Sequence, residues 1–312
     1  MRHPDPAGID IVVCVPTFRR PAHLRLTLDS LLTQTIARPF AVVVVENDAS
    51  AREGKAVADG YFAAGRLNGT SVVEPNQGNC HAINTAFGTA LANYPAARFI
   101  LMFDDDEIAT PHWLERMVET AERTGAGIVG GPVHPALAEG RRALAAHPAF
   151  APAYDTSGPV PVIYGSGNCL ITRATFQRLG LPPFDPGYNF LGGGDTDYFV
   201  RAQAAGIAFH WSAEAVITET VPPERLRLRW LMSRGLRIGA INHRIDTKRA
   251  HGVAGRSRLL AKTALLLPVS AVRALRLYAR TREPSIALHP VLVALGRLLA
   301  ALRIEPQPYR AV

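Results

Sequence analysis

Four acids in a row, Asp104-Asp105-Asp106-Glu107, close the apolar run Phe99-Ile100-Leu101-Met102-Phe103. Such a run reads as a buried strand, so the core itself brings four carboxylates to one place. In a strand, side chains alternate faces and Cα atoms two apart lie roughly 6.5 to 7 Å from each other on one side. That periodicity predicts Asp104 and Asp106 converging on one centre, with Asp105 pointing away. Carboxylates that close raise each other's pKa unless a cation sits among them, and a hard, oxygen-liking Mg2+ or Mn2+ suits the set. The same acids equally describe a solvated turn that caps the helix after Thr110-Pro111.

A second acidic stretch, Gly192-Gly193-Gly194-Asp195-Thr196-Asp197, opens a predicted helix over 198–205 that stops at Gly206. Asp195 reads as its N-cap. A carboxylate at a helix start is favoured as an anion, the form that accepts a proton. Among His81, His112, His134, His147 and His210, no two stand at i,i+4 spacing, so they read as surface or core histidines. Cys14, Cys80 and Cys169 are isolated, with no CxxC pair, and read as buried thiols of a reducing compartment.

The elements that must position these groups alternate. Residues 9–15 form a nearly unbroken β-branched run, as in strands covered on both faces. A helical pattern led by Pro21 follows, then a strand over 40–45, a helix over 52–64, a strand over 71–73, a helix over 78–92 and the strand that opens at Phe99. Strand, helix, strand within about forty residues is a right-handed βαβ unit. Ligands of such sheets bind beyond the carboxyl ends of the strands. Polar residues collect there: Pro16-Thr17 with Arg19-Arg20, Glu46-Asn47-Asp48, Glu74-Pro75-Asn76-Gln77-Gly78, and the acids from Asp104. Later come a helix over 113–123, an apolar stretch at 128–131, and a Pro- and Ala-rich excursion over 132–161 of the kind that often serves as a substrate lid.

At 312 residues, with 48% hydrophobic and 19% charged side chains, the chain builds a sizeable core and is not a disordered protein. The net charge of +8 conceals a division. Residues 225–312 hold 18 Lys and Arg against 3 Asp and Glu, whereas residues 1–224 hold 16 against 23. In the basic tail, apolar stretches over 259–279 and 286–302 are interrupted by Lys262, Arg273, Pro290 and Arg297. They lack the roughly 20 clean apolar residues of an ordinary membrane span. They read as helices lying on an anionic bilayer surface, or packed on the rest of the protein. The tail is too apolar and too poor in stacking aromatics for nucleic acid, and no nucleic acid partner is expected. The apolar run at 9–15 contains Asp10 and is too short for a secretory signal, which points to a cytoplasmic protein, peripheral at the inner face of the membrane.

In order and spacing these motifs resemble family 2 glycosyltransferases of the GT-A fold, the type that builds bacterial surface polysaccharides. The resemblance runs over about 9–240 and rests on Val15-Pro16-Thr17-Phe18-Arg19-Arg20, Val45-Glu46-Asn47-Asp48, Phe103-Asp104-Asp105-Asp106-Glu107, Gly192-Gly193-Gly194-Asp195-Thr196-Asp197 and Val221-Pro222-Pro223-Glu224-Arg225. It implies an α/β fold with a mostly parallel, Rossmann-like sheet, a catalytic domain over 1–222 and a basic helical region over 223–312. It implies a nucleoside diphosphate sugar donor, Mg2+ or Mn2+, and a glycan or lipid-linked acceptor. Pro16, Thr17 and Arg20 would line the nucleotide, with Glu46 on the base and Asp48, Asn76, Gly78 and Asp105 as further donor contacts. Asp106 would hold the metal, with Asp104 at the metal or the ribose. Asp195 would be the general base of an inverting displacement. Trp211 is a sugar-stacking candidate or a core residue, and specificity is expected around Asn168 and Tyr188.

Two positions depart from the family. Where Glu-Asp is usual this chain has Gly194-Asp195, and where Ala-Arg-Asn is usual it has Ala82-Ile83-Asn84. These departures keep open a catalytically degenerate, sugar-nucleotide-binding partner subunit. A sugar-phosphate nucleotidyltransferase is disfavoured, because Pro16-Thr17-Phe18-Arg19-Arg20 lacks the glycines of a phosphate loop.

Overall fold

A computed structural model of the chain describes residues 8–137 and 142–304. Residues 138–141 of the predicted excursion, and Glu305 of the basic tail, lie outside the described residues. The chain divides into two compact units. The first comprises Met1–His134, Pro152–Asn189 and Gly194–Thr220, and the second Pro135–Ala151, Phe190–Gly193 and Val221–Val312.

The first unit is built on β1 (Ile11–Thr17), α1 (Pro21–Leu32), β2 (Phe40–Glu46), α2 (Glu53–Ala63), β3 (Gly69–Val73), α3 (Asn79–Asn93), β4 (Phe99–Met102), β5 (Glu107–Ala109), α4 (Trp113–Thr124) and β6 (Ile128–Gly130). After β7 (Val133–Ala136) come β8 (Gly158–Val160), β9 (Cys169–Thr172), α5 (Arg173–Leu179), α6 (Gly194–Ala204), β10 (Phe209–Trp211) and β11 (Ile217–Thr220). The main sheet runs β3-β2-β1-β4-β9-β6-β10-β8, and a small sheet runs β5-β11-β7. The strands β3, β2, β1 and β4 are parallel, and β9 enters antiparallel between β4 and β6. The sheet is therefore mixed but mostly parallel, as expected.

All seven residues of β1 are buried, which is what an unbroken β-branched run predicts. Val13, Val15, Val42, Val44 and Leu101 join Leu24, Leu28, Val57, Trp113 and Met117 in one apolar cluster under α1, α2 and α4. The alternate residues Val12, Cys14 and Val43 point to the other face, where α3 packs on β1 and β2. Each such side chain contributes about 1.5 to 3 kcal/mol by burial, so the sheet's central strands are a rigid base for the loops at their ends.

The second unit contains α7 (Leu228–Arg249), α8 (Gly252–Thr281) and α9 (Pro284–Ala301). Beside the helical region expected from residue 223, the second unit takes in two short returns, 135–151 and 190–193. Part of the excursion is core here: Phe150 stacks on Trp230 with ring centroids 5.8 Å apart, and His147 meets His289 at 5.1 Å. Aromatic side chains in a segment without periodicity find their partners far along the chain, so the excursion is not one lid.

Candidate active site

Four strand-end loops form one connected surface in the first unit. Asn47, just past β2, donates through Nδ2 to the Glu74 and Asn76 carbonyls at 3.0 and 2.9 Å and accepts from the Gly78 N–H at 2.8 Å. Asn189 Oδ1 accepts from the Cys80 and His81 N–H groups at 2.9 and 3.3 Å, closing the start of α3. Gly78 has φ +143, and a Cβ there would meet the Asn189 side chain at 2.5 Å, so only glycine passes. The Asn76 side chain donates to Glu74 Oε1 at 2.9 Å.

The loop after β1 grips the acids. Asp105 Oδ2 accepts from Thr17 Oγ1 at 2.8 Å, and Arg20 Nη1 reaches Asp105 Oδ1 at 3.1 Å and Asp106 Oδ2 at 2.7 Å. Pro16, within β1, holds that loop's entry in register with Val45. Burial raises the Asp105 pKa, and Arg20 opposes it. Sequence neighbours thus share one guanidinium, contrary to the alternation expected of a strand. The reason is that β4 ends at Met102, so the acids stand in a turn where period two no longer applies.

Asp104 turns instead to Glu107, whose Oε2 accepts the Asp104 N–H at 2.8 Å. A Cβ on Gly167 would overlap both carboxylates, so the absence of a side chain there makes their space. Glu107 pairs in register with Glu219 of β11, which adds an acid from the far end of the unit. Burial pushes Asp104 up to about 8, with Asp106, Asp105 and Glu219 adding to the rise and Arg20 pulling against it. Burial and Asp104 likewise raise Glu107 well above its ordinary range.

Asp195 lies in the first turn of α6, not at its cap, because Gly192 and Gly193, with φ +82 and +90, turn the chain so that the helix opens at Gly194. Its charge acts on the buried Cys169 thiol. Burial, then Asp195, Asp104 and Glu107, raise that thiol well above its ordinary range. Asp195, Asp104 and Glu107 thus all act electrostatically on one buried sulfur, although about ninety positions separate the base candidate from the acids in sequence.

Among the described residues, no group of three or more His, Cys, Asp or Glu side chains is arranged to hold a metal by itself. Mg2+ sites usually need no such cage, since one or two carboxylates and substrate phosphates complete the shell. The donors here are all oxygens, and although burial is the larger cause of the Asp104 rise, Asp106, Asp105 and Glu219 add negative charge that a divalent cation would neutralise. On that ground the residues fit a hard cation.

The model of glycosyl transferase family 2 matches residues 12–180, which carry the first four loops. The chain belongs to glycosyl transferase family 2. This glycosyltransferase is 32% identical over 251 residues to the succinoglycan biosynthesis protein ExoM of Rhizobium meliloti, covering 78% of this chain and 77% of ExoM. It is 27% identical over 228 residues to the O-antigen biosynthesis protein RfbC of Myxococcus xanthus, covering 66% of this chain and 17% of RfbC. Its fold is that of the mannosyltransferase PcManGT from Pyrobaculum calidifontis, solved with GDP-Man and Mn2+. The TM-score is 0.60 at 19% identity, over 95% of this chain and 89% of that one. Residues 1–349 of S. aureus TarS, solved with UDP, give a TM-score of 0.54 at 15% identity, over 95% and 92% of the two chains.

Several residues expected to contact substrate in the glycosyltransferase have internal hydrogen-bond partners or are buried. Glu46 is 1% exposed, and its oxygens accept from the Asp48, Gly54 and Lys55 N–H groups at 2.8, 2.7 and 3.3 Å. It holds the start of α2 where a base contact was expected. Asp48 accepts from Ser50 and Arg19, which hold its carboxyl far below the usual range. Asn168 is buried, binding Trp113 Nε1 at 2.7 Å and the Pro132 and Ala215 carbonyls. It ties α4 to the sheet. Tyr188 and Trp211 are likewise buried. Sequence reading missed Glu219, whose only signal is an acid inside the β-branched run Ile217-Thr218-Glu219-Thr220, and it missed Asn47 and Asn189, ordinary loop asparagines in type.

Proposed function

We propose that this family 2 member is an inverting, metal-dependent glycosyltransferase. It moves a sugar from a nucleoside diphosphate sugar to a hydroxyl of a glycan or lipid-linked acceptor, at the cytoplasmic face of the membrane. The observation that carries the reading is the join of the loops after β1 and β4, where Thr17 and Arg20 hold Asp105 and Asp106 and Gly167 leaves the space that Asp104 and Glu107 occupy. The GDP-Man, Mn2+ and UDP complexes of PcManGT and TarS, and the polysaccharide roles in the names of ExoM and RfbC, support the donor and acceptor classes.

Arg20 and Thr17 fix the acidic turn from one side, while Asn47, Asn76 and Gly78 shape the neighbouring loop on which the nucleotide rests. A divalent cation at Asp106 and Asp104 would supply Lewis-acid stabilisation of charge on the departing diphosphate. Asp195 takes the proton of the acceptor hydroxyl as its oxygen bonds to the anomeric carbon. The bond from that carbon to the diphosphate oxygen breaks, and the nucleoside diphosphate leaves with the bonding pair. One displacement inverts the centre, so one base suffices.

The degenerate-subunit reading rests on Ile83 and Gly194, and the space beside Gly194 is filled by Cys80 and Phe184, so no other side chain stands in for the missing acid there.

The test is a panel of UDP-, GDP- and dTDP-sugars with Mg2+ or Mn2+, followed by diphosphate release and acceptor glycosylation. Asp195→Asn is expected to lose about 10² to 10⁴-fold in transfer while binding donor normally. Asp106→Asn is expected to lose the metal response. Unchanged transfer in Asp195→Asn would end the base assignment, and donor binding without turnover on every acceptor would favour the subunit reading.

A further inference from the structure

Among the described residues, α9 alone is long and apolar enough to cross a membrane, with a mean hydropathy of 1.5. Its apolar side is largely in use. It buries Ile286, Ala287, Ala294 and Ala300 within the second unit, and Gly296 lies directly against the Leu236 backbone of α7. Arg297, in the same helix, is 2% exposed and paired with Asp246. α9 is an internal strut.

α8 is the opposite case. Of its thirty residues only Thr263 and Ser270 are buried. Leu265, Val269, Val272 and Leu275 are 63%, 59%, 51% and 72% exposed. Their spacings of four, three and three put them on one face of the helix. Arg258, Arg273, Arg276 and Arg280 stand in the same helix, and no Asp or Glu occurs between residues 252 and 281. Pro268, Val269, Val272, Arg273 and Arg276 border one open groove, so the apolar and cationic groups are adjacent.

We infer that the outward face of α8 is the membrane-docking surface of this protein: it lies in the plane of an anionic bilayer, with Leu265, Val269, Val272 and Leu275 entering the head-group boundary and the arginines meeting phosphates. This deepens the membrane location in the proposed function and rests on it. The charge selects the occupant. A second copy of the chain would oppose arginine to arginine, whereas anionic lipid complements Arg258, Arg273, Arg276 and Arg280 alike. Exposed aliphatic side chains between the cations suit a bilayer better than a purely electrostatic partner.

The experiment is vesicle co-sedimentation of the full chain, with phosphatidylcholine alone and with added phosphatidylglycerol, at low and high salt. Binding is expected only to the phosphatidylglycerol vesicles, weakening with salt. The variant Leu265→Asp/Val272→Asp is expected to lose at least about tenfold in binding. Because both side chains are exposed, its melting temperature should match the wild type. Arg273→Glu/Arg276→Glu should lose a similar factor, mostly at low salt. Leu288→Asp, on an exposed position of α9, should bind normally. If the wild type pellets and both α8 variants pellet equally well, the α8 assignment is overturned while the membrane location stands. If the wild type never pellets, both fail. If sedimentation velocity instead finds an oligomer that Leu265→Asp/Val272→Asp dissociates, and no vesicle binding, the occupant is a second copy and the inference is overturned.

Discussion

The Cys80 sulfur occupies the space that a side chain at position 194 would need: a Cβ built on Gly194 would lie 2.7 Å from Sγ and 3.4 Å from the Phe184 ring. Cys80 is buried near the start of α3, and Gly194 is the first residue of α6, so the pair sets how closely the helix bearing Asp195 approaches α3. Gly194→Ala is expected to destabilise the protein by about 1 to 3 kcal/mol through overpacking. In a Cys80→Ala background the same change should cost at least about 1 kcal/mol less, measured by denaturant unfolding of the four proteins. Additive effects would show that the two residues do not compete for one space.

Arg20 Nη1 serves Asp105 and Asp106 together, and its side chain is 38% exposed. Arg20→Ala should cost about 1 to 2 kcal/mol, less than a fully buried pair because solvent screens it. It should raise the KM for donor more than it lowers kcat, since it loosens the acidic turn without touching the base. Arg20→Lys keeps the charge but not the planar fork, and should fall between the two in both readouts. Steady-state kinetics with the active donor, beside thermal melts, checks this.

Asp246 of α7 is held by Lys262 of α8 at 2.7 Å and by Arg297 of α9 at 2.5 Å, so one carboxylate joins three helices. Arg297 also donates to Thr263 at 3.1 Å. Asp246→Ala leaves a guanidinium buried without its anion and is expected to cost about 3 kcal/mol. Adding Arg297→Met should recover most of that loss, because an apolar side chain of similar length needs no partner. A double variant no more stable than Asp246→Ala would show that the ion pair is not the source of the loss.

Burial pushes His289 down to about 4, with His147 and Arg273 adding to the effect. The folded chain therefore binds fewer protons at this site than the unfolded chain, whose histidine titrates near 6.5. The stabilising contribution is complete above that pH and is lost as pH falls from about 6.5 toward 4. His289→Gln should flatten this part of the profile, so that acidification from neutral pH to about 5 lowers its melting temperature less than that of the wild type.

The sequence by itself determined the family, the mostly parallel sheet and the four polar loops at its edge. Unbroken runs such as residues 11–15 and 41–45 have few conformations other than a doubly covered strand, and the loops must follow where those strands end. The individual partners were decided by the tertiary structure. Strand periodicity assigned Asp105 away from its neighbours, yet a strand that stops at Met102, before the acids begin, gives Arg20 both Asp105 and Asp106. Glu219 joins the acids only because β11 pairs with β5 from about 110 residues away, a contact no local pattern encodes. Composition ranked α9 as the more membrane-like helix, but hydropathy counts side chains without knowing which are covered. Packing against α7 buries the apolar face of α9 and leaves that of α8 outside.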